Sequence, residues 1–103
     1  MTTNPPTIQP GRDGRLEVHG ELSFDSVPGL WRDCRETCVA GDDVDIDLGQ
    51  VQRSDSAGLA LLIEWLREAQ RSGARLRFFN IPPQMLEMAR ASGLDRILPL
   101  HRD

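Results

Sequence analysis

Within residues 43 to 73 the hydrophobic rhythm of the chain changes from a period of two to a period of about 3.6, and this constrains the fold more than any other feature. In "DVDIDL" (43–48), Val44, Ile46 and Leu48 point one way while Asp43, Asp45 and Asp47 point the other. That is a strand with one wet face. From Ser56 to Ser72, Leu59, Leu62, Ile63, Leu66 and Ala69 then recur at helical spacing, and Gly73 supplies a terminator. A strand that feeds a helix builds a parallel sheet when the pattern repeats.

It does repeat. "RLEVHGEL" (15–22) sets Leu16 and Val18 against Arg15, Glu17 and His19. A helix follows, with Asp25 or Ser26 as N-cap, Pro28 in its first turn, and a stripe of Val27, Leu30, Trp31, Cys34 and Cys38 before Gly41. "ARLRFFN" (74–80) reads as a third strand, and "PPQMLEMARASG" (82–93) as a helix opened by proline and stopped by Gly93. "RILPL" (96–100) gives a short last strand that Pro99 confines to an edge. The order implies right-handed crossovers and an α/β fold, a mostly parallel sheet of about four to five strands with helices mainly on one face. The aspartates mark the open face. The polar, proline-rich "MTTNPPTIQP" predicts a flexible N-terminal tail over 1–10, followed by a single domain over 11–103.

The bulk properties exclude several function classes. A chain of 103 residues builds one core. A net charge of -4 and a pI near 5.1 give no electrostatic support for nucleic-acid binding. The basic residues are all Arg, which we attribute to genome composition. No apolar stretch approaches the roughly 20 residues that span a bilayer, and no signal peptide is visible, so a cytoplasmic protein is expected. Cys34 and Cys38 read as reduced core packing, because no further metal ligands lie nearby.

Catalysis and metal binding find little purchase. An EF-hand loop starting at Asp43 would need Gly and Glu where the chain has Leu48 and Ser54. A nucleophilic Ser56 would need a base, and His19 and His101 stand in no recognisable motif. "SDSAG" is not the G-x-S-x-G elbow, and no GK[ST] phosphate loop is present. No catalytic residue, metal or cofactor is therefore predicted.

What remains is "RSDSAGLALLIEWL" (53–66). One of Ser54, Asp55 and Ser56 caps the helix, at about 1 kcal/mol. Capping does not account for three polar residues together, nor for Ala57 and Gly58, which leave the helix start without bulk and let another surface approach. Leu61 and Trp65 sit about a hundred degrees round the helix from the core stripe and one turn apart. They either widen the core or anchor a partner.

Strand, D-S-x-G loop and amphipathic helix together resemble the STAS domain over roughly residues 14–100, the domain of anti-sigma-factor antagonists and of sulfate-transporter tails. "DSAG" carries weight because it directly follows "VDIDLGQV" and opens "LALLIEWL". "HGELSFDSVPGLW" and "QRSDSAGLALL" are most similar to the small STAS subunit of an ABC-type phospholipid transporter, with its G-E-L segment, L-W pair and R-V-D-[ST]-x-G-L-A-L-L. The resemblance implies a non-catalytic protein at the cytoplasmic side of the inner membrane, bound to the transporter's ATPase. It would reach the permease only through that ATPase and would not insert into the membrane. The transporter moves phospholipid and maintains outer-membrane lipid asymmetry. Ser56 and Trp31 fall where that subunit has a functionally important Ser or Thr and a Trp. The residue pattern and the resemblance together give an expected partner-binding set of Ser54, Asp55, Ser56, Ala57, Gly58, Leu61, Trp65 and Trp31. The alternative is an anti-sigma-factor antagonist whose Ser56 is phosphorylated by an anti-sigma kinase, although antagonists usually show D-S-[ST]-G where this chain has Ala57.

Overall fold

The computed structural model describes residues 6–37 and 43–102, with backbone only for 33–37. In chain order the elements are β1 (Thr7–Pro10), β2 (Leu16–Leu22), α1 (Val27–Thr37), β3 (Val44–Asp47), β4 (Val51–Ser54), α2 (Ser56–Ser72), β5 (Leu76–Phe79), α3 (Pro83–Ala91) and β6 (Leu100–His101). Strands β2, β3, β5 and β6 pair side by side in parallel, and β1 adds to the outer edge of β2 antiparallel. The expected α/β fold, mostly parallel and covered by helices on one face, is the fold observed.

Two strands depart from expectation. The tail predicted over 1–10 is a strand from Thr7, in register with His19 to Leu16 of β2, while residues 1–5 lie outside the described part. Prolines do not prevent this, since an edge strand has one side without a ladder and tolerates a missing N–H. The second is β4, which continues the line of β3 after a break at Leu48–Gln50. Leu48 still donates to Phe79 on β5 at 2.8 Å, and Val51 then donates back to Leu48 at 3.1 Å. β2 accommodates the break by pairing with β3 at Leu16 and Glu17 and with β4 from Gly20 on, with a register shift between Gly20 and Glu21. Gly20 sits at φ 100, a conformation that favours glycine, so the bulge falls there.

α2 begins and ends where its sequence indicates. Asp55 is the N-cap, accepting from the Ala57 N–H at 2.8 Å, and Gly73 closes the helix in the left-handed region at φ 78. The buried stripe is wider than predicted: Leu61 and Trp65 join Leu59 and Leu62 in the core, and Ile63, Leu66 and Ala69 border it. From the sheet, Val18, Leu22, Ile46, Leu48, Val51 and Phe78 complete this core. α1 contributes Leu30, and α3 contributes Met85 and Ala89. The side chain of Cys34, all of Cys38 and Gly41 fall outside the described residues.

The opposite face is a charged ladder. Arg77 forms a two-pronged pair with Asp45, its register partner, with both contacts at 2.8 Å. Arg75 donates from backbone and side chain to Asp43, which lowers the Asp43 pKa below its ordinary value. Asp47 accepts from the Gly49 N–H at 2.8 Å and from Asn80, and Arg15 lies 3.7 Å away. Each aspartate of "DVDIDL" thus has a partner, and the strand face reads as a cross-strand ion-pair ladder.

Candidate functional site

The C-terminal ends of parallel strands are where an open α/β sheet gathers its loops. Here β2 ends in the turn Ser23–Ser26, and β4 ends in Ser54 and Asp55 before α2. The Ser26 hydroxyl holds the turn, donating to the Glu21 carbonyl at 3.1 Å and accepting from the Ser23 N–H at 2.9 Å. Asp55 ties the two segments together. Its N–H donates to the Leu22 carbonyl at 3.0 Å, one carboxylate oxygen caps Ala57, and the other accepts from the Phe24 N–H at 3.3 Å.

Ser56 occupies the first position of α2 and is exposed. Its hydroxyl has no hydrogen-bond partner among the described residues. It borders a cleft of about 450 Å³ lined in part by Glu21, Ser23, Arg53, Gln84 and Met88. A polar hydroxyl at an uncovered helix N-terminus, with its neighbours fixed from both sides, can donate and accept at a contact surface without rearrangement. Neither histidine is hydrogen-bonded to it: His19 pairs with Glu17 at 3.0 Å, and His101 stacks on Phe79 at 5.4 Å.

The other predicted site residues divide differently from expectation. Ser54 is 3% exposed, and its hydroxyl donates to the Asp55 carbonyl at 2.9 Å. Ala57 and Gly58 are buried. A Cβ on Gly58 would overlap the Ser54 hydroxyl and stand 3.2 Å from the Leu22 Cβ. Gly58 thereby lets α2 approach its own sheet, at a place where the sequence offered Ala57 and Gly58 as room for another surface. Leu61 and Trp65 are 1% and 4% exposed. Of the two readings of that pair, the core one holds: Trp65 lies 6.1 Å from the Phe78 ring and presents nothing outward. Trp31 is half-buried against the core.

Sequence reasoning missed Phe24. It is 71% exposed and shares the Asp55 carboxylate with the start of α2. Its spacing concealed it: Phe24 lies two residues after Leu22 and three before Val27, so it continues both the strand alternation before it and the helical stripe after it, and either rhythm would have placed it inside.

Comparisons with known proteins agree on one family. Residues 7–99 match the family described as "Mlab, STAS domain". The intermembrane phospholipid transport system binding protein MlaB of Haemophilus influenzae is 32% identical, over 77% of this chain and 79% of its own length. The protein of the same name from Escherichia coli K12 is 33% identical, with the same coverage of both chains. Among solved structures, a chain of the Acinetobacter MlaFEDB complex in an ATP-bound conformation shares the fold, with a TM-score of 0.77 over 92% of this chain and 99% of that one at 24% identity.

Proposed function

The chain belongs to the Mlab STAS family, and from that premise we propose that it is the STAS subunit of an Mla-type phospholipid transport system, working as a docking protein with no reaction of its own. Its partner is the MlaF-like ATPase of the transporter, which it binds and stabilises at the cytoplasmic face of the inner membrane, with the permease reached through that ATPase. No helix among the described residues is long and apolar enough to cross a membrane, which accords with a subunit held there by its partner.

The observation that carries the reading is Ser56: an exposed hydroxyl with no partner among the described residues, at the first position of a helix whose cap and flanking turn are hydrogen-bonded into the fold. A negative charge at this place affects folding and docking in opposite ways. The helix N-terminus carries about half a positive charge, so the fold tolerates or favours an anion by roughly 0.3–1 kcal/mol. Burying the same anion against a partner costs several kcal/mol unless cations meet it. Ser56→Asp is therefore expected to abolish or strongly weaken ATPase binding without lowering the melting temperature. Co-purification of Ser56→Asp with the ATPase at wild-type yield would overturn the docking role of this residue. The same exposure suits Ser56 as a kinase substrate, and treatment with an anti-sigma kinase followed by mass spectrometry tests that second reading.

A further inference from the structure

We propose that Phe24 is the apolar anchor of this docking patch, and that the ATPase receives its ring in an apolar pocket rimmed by basic side chains. The inference rests on the docking reading of Ser56 and extends it to the chemistry of the partner.

Two large hydrophobic residues are strongly exposed among the described residues, Phe24 at 71% and Ile97 at 61%. They lie at opposite ends of the sheet. Phe24 follows β2 and stands beside the C-terminal ends of the strands, with Ser56. Ile97 precedes β6, which runs parallel to β5, and so stands at the N-terminal ends. A single exposed apolar side chain is ordinary on a protein surface. Phe24 differs in how it is held. Its N–H is bound at 3.3 Å by the carboxylate that also caps α2 at 2.8 Å, so the Ser56 end of the helix and the Phe24 backbone are positioned by one side chain. The turn is fixed again by Ser26, which bonds Glu21 and Ser23. An aromatic ring on a pinned backbone has only two side-chain torsions left to order on binding, which is the economy of aromatic anchors at interfaces.

Charge identifies the occupant. Glu21 and Asp55 line the cleft beside Ser56, and Asp25 follows Phe24 in the turn, against Arg53 as the one cation of that cleft. The patch therefore carries an excess of two negative charges at neutral pH. A second copy of this chain, meeting the patch isologously, would set like charges against each other. A partner whose Lys or Arg side chains pair with Glu21, Asp25 and Asp55 around an apolar pocket meets both the ring and the field, and with those cations taken up by the existing carboxylates none is left for an added charge at position 56. The wild-type association rate is accordingly expected to fall as salt rises.

The test is a binding titration of the full chain against the purified ATPase subunit of the transporter, with wild type, Phe24→Ala, Ile97→Ala and Ser56→Asp, each also melted alone. Phe24→Ala is expected to weaken binding about ten- to a hundred-fold, mostly through faster dissociation, with its melting temperature close to wild type. Ile97→Ala is expected to bind as wild type does. Wild-type affinity in Phe24→Ala, with Ser56→Asp impaired, would overturn the anchor and leave the docking reading standing. No binding by the wild type would remove the docking reading and this inference with it. A homodimer of the free chain that Phe24→Ala abolishes would assign the ring to a contact between copies and overturn the proposed occupant.

Discussion

Gly58→Ala separates two explanations of the small residues that open α2. If Gly58 serves packing within the chain, the added methyl group has nowhere to go. It would overlap the Ser54 hydroxyl and stand 3.2 Å from the Cβ atoms of both Leu22 and Ser54. Leu22 is 1% exposed and stands opposite Ser54 in the pairing of β2 with β4, so it yields little. The Ser54 hydroxyl must rotate away and surrender its 2.9 Å bond to the Asp55 carbonyl. Overpacking of this kind costs about 1–3 kcal/mol, and the lost hydrogen bond adds about 0.5–1.5 kcal/mol. Against this, alanine is at most about 1 kcal/mol better than glycine in a helix. The balance is a destabilisation of about 0.5–3.5 kcal/mol, and each kcal/mol lowers the melting temperature of a domain this size by roughly 4–8 °C. Urea denaturation is expected to show the loss as a lower midpoint with an unchanged slope. Because the clash is mainly with one oxygen, Ser54→Ala combined with Gly58→Ala is expected to be less destabilised than the two single changes added together. If Gly58→Ala instead gained stability while losing the ATPase, the glycine would be serving an external surface, and the packing account would fail.

Three further outcomes follow from the same contacts. Trp65→Ala removes a core aromatic in contact with Phe78 and is expected to cost about 3–5 kcal/mol, read by chemical denaturation; a change below about 1 kcal/mol would return the residue to the surface. Asp55→Asn keeps an oxygen to cap Ala57 but puts an N–H₂ opposite the Phe24 amide. Hydrogen exchange should therefore speed up at Phe24 while Ala57 stays protected, and equal acceleration at both would show that one carboxylate does not join the two segments. Asp43 is held below its ordinary pKa of 3.8, first by the Arg75 backbone N–H. Its contribution to stability is present above the unfolded pKa and is lost as pH falls through the folded one. A carboxyl NMR titration is expected to give a midpoint below 3.8 in the wild type, and a midpoint at or above that value would contradict the Arg75 contact.

The fold was legible because it is written in side-chain alternation. "DVDIDL" had to present its aspartates to water or to partners. α2 had to start at the Ser54–Ser56 cluster and stop at Gly73, and it does so within a residue. The strands that escaped notice are those where alternation is short or interrupted. β4 spans Val51–Ser54 with only its two end residues buried, and its identity as a strand comes from β2 bending at Gly20 to meet it. β1 lies at an edge and contributes a single half-buried apolar residue, Ile8, to the core, so its composition resembles that of a tail.

The site was less legible, and the reason is directional. A helical wheel reports the angle between residues but not how much of the circumference the neighbouring elements cover. α2 is flanked by α1 and α3 and backed by the sheet, so its buried arc is wide enough to take in Leu61 and Trp65 as well as Leu59 and Leu62. Small side chains are ambiguous in the same way: sequence shows that bulk is missing at Ala57 and Gly58 but not which surface fills the space. At Gly58 the sheet fills it with Ser54 and Leu22, and Ser56 and Phe24, the two proposed for docking, stay exposed at this end. The long stripe of α2 supplies the rigidity. Phe24, the proposed anchor, keeps step with both Leu22 and Val27 and is exposed all the same, because the turn between β2 and α1 carries it past the last neighbour that could cover it, which no periodicity reports.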